Sequence, residues 1–107
     1  MTTVVRREDL ALAAADAALG VPGVARLSPG SGVEVSTQYA GGKVLGIRLG
    51  GERAEVHIVA DRVPLPPITD QVGAAVGAVL AAAGESKPVT VVVADVEVAA
   101  VNRRSGS

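Results

Sequence analysis

One histidine, His57, and a scatter of carboxylates are the residues with which this chain could do acid–base or metal chemistry. A lone imidazole cannot assemble a histidine-rich metal site, and the alternation around it turns it outward from a strand, so it reads as a surface residue. Asp61, Asp70, Asp95 and Glu97 are placed where they could converge at one end of a sheet. Carboxylates do general acid–base work only beside a second catalytic group or a metal-ligand spacing, and neither is present; charged surface is their expected role. The stretch "PGSGVEV" holds Gly30 and Gly32 but lacks a third glycine and runs into a strand, where a dinucleotide fingerprint would open a helix. No Gly-Lys-Ser/Thr phosphate loop occurs either. No catalytic, cofactor-binding or metal-binding residue is assigned, and the chain is expected not to be an enzyme.

Two glycine patterns remain. Gly20-Val21-Pro22-Gly23 has the spacing of the GXXG loop with which KH-type domains clamp a nucleic-acid backbone between two helices. Here it leads from a helix to a strand and carries Val and Pro where basic residues would serve. Ten basic against eleven acidic residues, a net charge of -1, generate no field that gathers polyanions. Nucleic acid is therefore not the expected partner, and RNA binding through this loop is the alternative function. The structural reading is a junction: Gly20 ends the helix in the left-handed conformation, Pro22 blocks its continuation, Gly23 permits a reversal, and Val21 and Val24 enter the core.

Gly73 and Gly77 lie four apart on a second helix and, with Asp70, Ala74 and Ala81, form a small-residue face that lets another backbone approach closely. Each glycine costs that helix roughly 1 kcal/mol relative to alanine. A chain this rich in alanine and glycine also produces the spacing by chance. Leu12 and Leu19 point away from the apolar stripe of the first helix and are the other candidate interface, against the plainer reading of exposed leucines.

The elements that hold these residues fit one domain over residues 7–99, with flexible ends at 1–6 and 100–107; a chain of 107 residues closes a single core. With 49% hydrophobic residues but one Tyr and no Phe or Trp, that core is aliphatic. The absence of cysteine excludes disulfides and thiolate chemistry, and the cytoplasm is the default compartment. "DLALAAADAALGV" carries Asp16 and mostly alanine, which argues against a signal peptide, and no run of about 18 uncharged apolar residues suits a membrane span.

Arg7 to Leu19 reads as a helix with Leu10, Ala14, Ala17 and Val21 on one face. Three strands are expected next. Val33, Val35, Thr37 and Tyr39 share one side of the first; Leu45, Ile47 and Leu49 share one side of the second; Ala54, Val56, Ile58 and Ala60 face inward on the third. Gly41-Gly42 and Gly50-Gly51 mark the reversals of this antiparallel meander. "PLPPITDQVGAAVGAVLAAAG" predicts a helix with Ile68, Val72, Ala75, Val76 and Val79 inward and a stop at Gly84. "PVTVVVADVEV" predicts a strand buried on both sides over its first half. The order α-β-β-β-α-β gives an α+β two-layer sandwich, with two helices on one face of a mainly antiparallel four-stranded sheet.

In "AALGVPGVARL" from Ala17 to Leu27, "GVEV" at Gly32 to Val35, "ITDQVGAAVGAVL" and "VTVVVADVEV", the chain resembles the alkaline shock protein family of Gram-positive envelope stress proteins. The likeness covers residues 8 to 99 and lies in order and spacing of short apolar motifs. "DRVPLPP" stands where the family has Tyr-Gly before the second helix, and "AAAGESKP" where it has Thr-Gly after it. The chain thus looks like a divergent, actinobacterial-type member, and the role of those positions is not carried over. The resemblance implies a cytoplasmic stress-response protein without catalytic activity or cofactor. Such a protein self-associates and is held near the membrane by a small membrane-anchor protein.

Overall fold

The computed structural model describes residues 6–30 and 33–98; Gly32 and nearly all of the ends expected to be flexible lie outside them. Helix α1 spans Arg7–Leu19, with Glu8 and Asp9 in its first turn, where the helix dipole favours carboxylates. Its buried side is Leu10, Ala11, Ala14, Ala15 and Ala18, so the expected Leu10–Ala14–Ala17 stripe is rotated and Ala17 is only half-buried. In a helix this rich in alanine, periodicity hardly distinguishes one face from another, and the packing partner chooses the face.

Five strands follow instead of three. β1, Val24–Leu27, is too short to show a period. β2, Ser36–Tyr39, and β3, Gly42–Leu45, form a hairpin with Tyr39 opposite Gly42, and make a two-stranded sheet of their own. Val33 precedes β2 and is exposed, contrary to the expected inward run from Val33. β4, Ile47–Leu49, and β5, Ala54–Ala60, are antiparallel, with Ile47 opposite Val56.

The expected strand through residues 44–49 is broken at Gly46, whose φ of +86° belongs to glycine. One residue in that conformation changes which side of the chain faces the core. Val44, Ile47 and Leu49 are therefore buried while Leu45 is exposed, a correction to the expected Leu45–Ile47–Leu49 alternation.

β5 is the spine of the four-stranded sheet. β4 lies along the first half of one edge and β1, antiparallel, along the second half, with Leu27 opposite Ile58. Helix α2, Pro66–Ala82, then crosses over to β6, Val89–Val96, which pairs with the other edge of β5 in parallel. Prolines open α2 as expected, and it ends where Gly84 (φ +77°) lets the Glu85 N–H donate to the Leu80 carbonyl at 2.8 Å. Ile68, Val72, Val76 and Leu80 are its buried row, with Ala75 and Val79 half-buried beside it. These residues, the α1 row and the inward residues of β4 and β5 form one aliphatic core. The α+β class and the pair of helices on a four-stranded sheet are as expected, but the sheet is built of β1, β4, β5 and β6.

β6 differs most from expectation. It is the edge of the sheet, and none of its residues is fully buried. Val89, Val91 and Val93 are half-buried toward the helices, whereas Val92 and Ala94 lie outward.

Candidate association surface

The two edges of the sheet are finished differently. Along β4, the Gly46 N–H donates to the Val35 carbonyl at 2.8 Å, the Thr37 hydroxyl to the Ile47 carbonyl at 2.7 Å, and Arg48 to the Glu34 carbonyl at 3.2 Å. The segment leading into β2 thus covers that side. Along β6, among the described residues, no chain lies beyond the strand. Natural edges are commonly blunted by lysine, proline or a bulge. β6 carries none of these from Val89 to Val93, and a charge and a register shift come only at Asp95.

α2 flanks this edge. Its core row joins α1 and the sheet in the common core, and the flank with Asp70, Gly73, Ala74 and Gly77 lies beside β6. Between that flank and Val89 and Val91 lies a groove of about 430 Å³. A Cβ on Gly73 would stand 3.8 Å from Val91 Cγ2, an ordinary contact, and one on Gly77 would meet nothing within 4 Å. Neither glycine is needed by the fold around it. Their common effect is to leave space beside the strand edge.

Leu12 and Leu19 are exposed as expected, at 46% and 45%. On the α1 wheel they fall on the flank away from α2, since Asp9 and Ala13, on the other flank, line a shallow groove with Val79 and Ala82. The two candidate interfaces therefore occupy different sides of the molecule. Leu12→Ala and Leu19→Ala are expected to change stability by no more than about 0.5 kcal/mol, read by urea denaturation, and to leave the solution mass as it is.

The Gly20–Val24 turn proves to be a tied junction. Gly20 keeps right-handed backbone (φ −77°), so the left-handed residue expected there is instead Gly23, at φ +101°. Val21 is buried, Pro22 is exposed and Val24 is half-buried. A Cβ on Gly23 would come 2.6 Å from Ile68 Cδ1, and the Gly23 carbonyl accepts from the Asp61 N–H at 2.8 Å. This loop joins a helix to a strand and locks α1, α2 and the end of β5 together.

His57 is partly buried on the sheet face away from the helices, with Nε2 3.3 Å from Glu55 Oε1 and Arg48 on the same carboxylate at 3.5 Å. Asp61, Asp95 and Glu97 do lie at one end of β5 and β6, but each takes its own partner. Asp61 pairs with Arg62, Asp95 accepts from the Val96 N–H, and Glu97 takes two 2.6 Å bonds from Arg26. Those bonds hold the Glu97 carboxyl below the usual carboxylate range. Whatever the pair contributes is present above the unfolded carboxylate pKa and lost as pH falls through the lowered one. Among the described residues no three His, Asp or Glu side chains are grouped to hold a metal ion, and no helix is long and apolar enough to cross a membrane.

Comparison with known proteins adds no identity: the chain matches no protein-family model, no curated protein and no solved structure.

Sequence reasoning found Gly73 and Gly77 but missed the strand edge that gives them meaning. Four valines in "VTVVV" are the signal, and they read equally well as a buried strand.

Proposed function

We propose that this chain is a non-enzymatic association module: a self-associating scaffold with a role in the envelope or alkaline stress response, docked to a small membrane-anchor protein. The observation that carries the reading is the edge of β6, uncovered among the described residues, beside the glycine flank of α2. An edge of this kind offers main-chain hydrogen bonds to an added strand, and pockets beside it select the side chains that come with it. The order and spacing of residues 8–99 support the stress-protein part of the reading through the resemblance described above. The same resemblance supports a cytoplasmic protein brought to the membrane by its anchor.

No observation favours RNA binding through Gly20–Gly23, a loop whose second glycine packs on Ile68 and which leads into a strand. A gel shift with single-stranded RNA separates the two readings: no complex that weakens steeply with salt is expected. Affinity capture of the tagged protein from membranes, with its mass in solution measured alongside, tests the scaffold directly. An oligomer that recovers a small membrane protein is expected; a strictly monomeric protein that recovers none contradicts the proposal.

A further inference from the structure

Val59 is only 4% exposed, although it lies on the sheet face away from the helices. Along β5 the inward residues Ala54, Val56, Ile58 and Ala60 join the aliphatic core, and Val59, between the last two, does not. Its cover must come from the outer face itself. We infer that Arg26 and Glu97 form a strap across β5, which covers Val59 and ties the two strands flanking it, β1 and β6, to each other. The inference does not depend on the reading of β6 as a docking edge.

Two bulges place the strap. β1 pairs Val24 with Ala60 and Arg26 with Val59, so Ala25 is an extra residue. Were the pairing regular from Val24, Arg26 would stand opposite Ile58 and face the core. β6 pairs Val93 with Ile58 and Asp95 with Val59, which makes Ala94 extra in the same way. Without that slip Asp95 and Glu97 would turn inward and Val96 outward. A bulge re-aims the side chains that follow it, and here two bulges act at the level of Val59 from opposite sides. Both leave charged residues on the outer face.

Distance then sets where the side chains meet. β1 and β6 lie on either side of β5, so their backbones are about 9.6 Å apart and neither side chain can reach the other except over β5. The Arg26 Nη1 and Nη2 groups nevertheless donate to Glu97 Oε1 and Oε2 at 2.6 Å each, the paired geometry in which a guanidinium holds a carboxylate best. Arg26 is opposite Val59, and Glu97 comes two residues after Asp95, which is also opposite Val59. The Arg26 stem is the apolar cover. The Glu97 N–H also donates to the Ala60 carbonyl at 2.8 Å, so the end of β6 is held twice, by its backbone and by the strap.

What the strap controls follows from its neighbours. Val92, opposite His57, is a diagonal neighbour of Val59 and is 36% exposed. With the strap closed, Val92 is a single exposed valine beside paired charges. Opening it uncovers Val59 next to Val92 and frees the last residues of β6. The strap is a catch at one end of the sheet.

Two rates read its state. Hydrogen exchange at the Glu97 amide reports the end of β6, and because the chain has no cysteine, the alkylation rate of a Val59→Cys variant reports the cover. Arg26→Gln and Glu97→Gln are each expected to raise both rates by about two- to fivefold at neutral pH, the range an exposed ion pair supports. Amides in the middle of β5 should be unchanged, and both variants should fold by circular dichroism, since both side chains are exposed. Loss of Arg26 and loss of Glu97 push ionisation of the thiol in opposite directions, so a faster reaction in both reads cover rather than charge.

The double variant Arg26→Gln/Glu97→Gln should exchange no faster at the Glu97 amide than either single variant, because one loss already opens the strap. Single variants that leave either rate unchanged, or a double variant whose increase is the product of the two single increases, overturn the inference.

Discussion

Replacing Gly46 by alanine is expected to destabilise the fold by about 2–5 kcal/mol, the sum of a left-handed backbone penalty and an overpacking penalty. Gly46 sits at φ +86°, and an added Cβ would stand 2.7 Å from Leu27 Cβ and 3.1 Å from the Ser28 carbonyl oxygen. The strand cannot easily retreat. Its N–H is bonded to Val35 on one side and its carbonyl to the His57 N–H on the other, at 2.8 and 2.9 Å. Domains of this size hold about 5–15 kcal/mol in total, so the loss threatens folding at ambient temperature. Urea denaturation followed by circular dichroism measures it, and a cost below about 1 kcal/mol would contradict the close packing of β1, β4 and β5 at this point.

Leu80→Ala is expected to cost about 2–5 kcal/mol by the same measurement. Leu80 is completely buried and is among the largest fully buried side chains of a core made mostly of valine, isoleucine and alanine. β-Branched neighbours are stiff at χ1 and cannot swing into the space that a lost isobutyl group leaves. A cavity should remain. The contrast with Leu12→Ala and Leu19→Ala, on the exposed flank of α1, checks that burial rather than residue type sets the cost.

Long elements with a strong period were legible before the structure. α2 announced itself through prolines at one end, Gly84 at the other and a valine row between, and β5 through the strict alternation of Ala54, Val56, Ile58 and Ala60. What could not be read was decided by tertiary contacts. Gly46 looks like any strand glycine until Leu27 is found against it, and that contact requires β1, whose four residues carry no period of their own. The face of α1 was ambiguous because alanine sits on most sides of it.

At the candidate surface, the Gly73 and Gly77 spacing could be seen, but its neighbour could not. Whether "VTVVV" is a buried strand or an open edge depends on how many strands the sheet contains, and no local pattern encodes that number. The Gly20–Val24 turn reads as a junction from sequence, but its left-handed residue is Gly23 and not the expected Gly20. Both glycines suited a helix stop; the packing of Gly23 on Ile68 decided between them.

The central claim, that the free edge of β6 is where this chain associates, is tested most directly by amide hydrogen exchange over a range of protein concentrations. Thr90 and Val92, bonded to β5, should be protected in the single copy and change little. Val89, Val91 and Val93 should exchange freely when dilute and become protected as concentration rises. Exchange at those three amides that stays fast at every concentration, while the protein's mass shows association, would contradict the account.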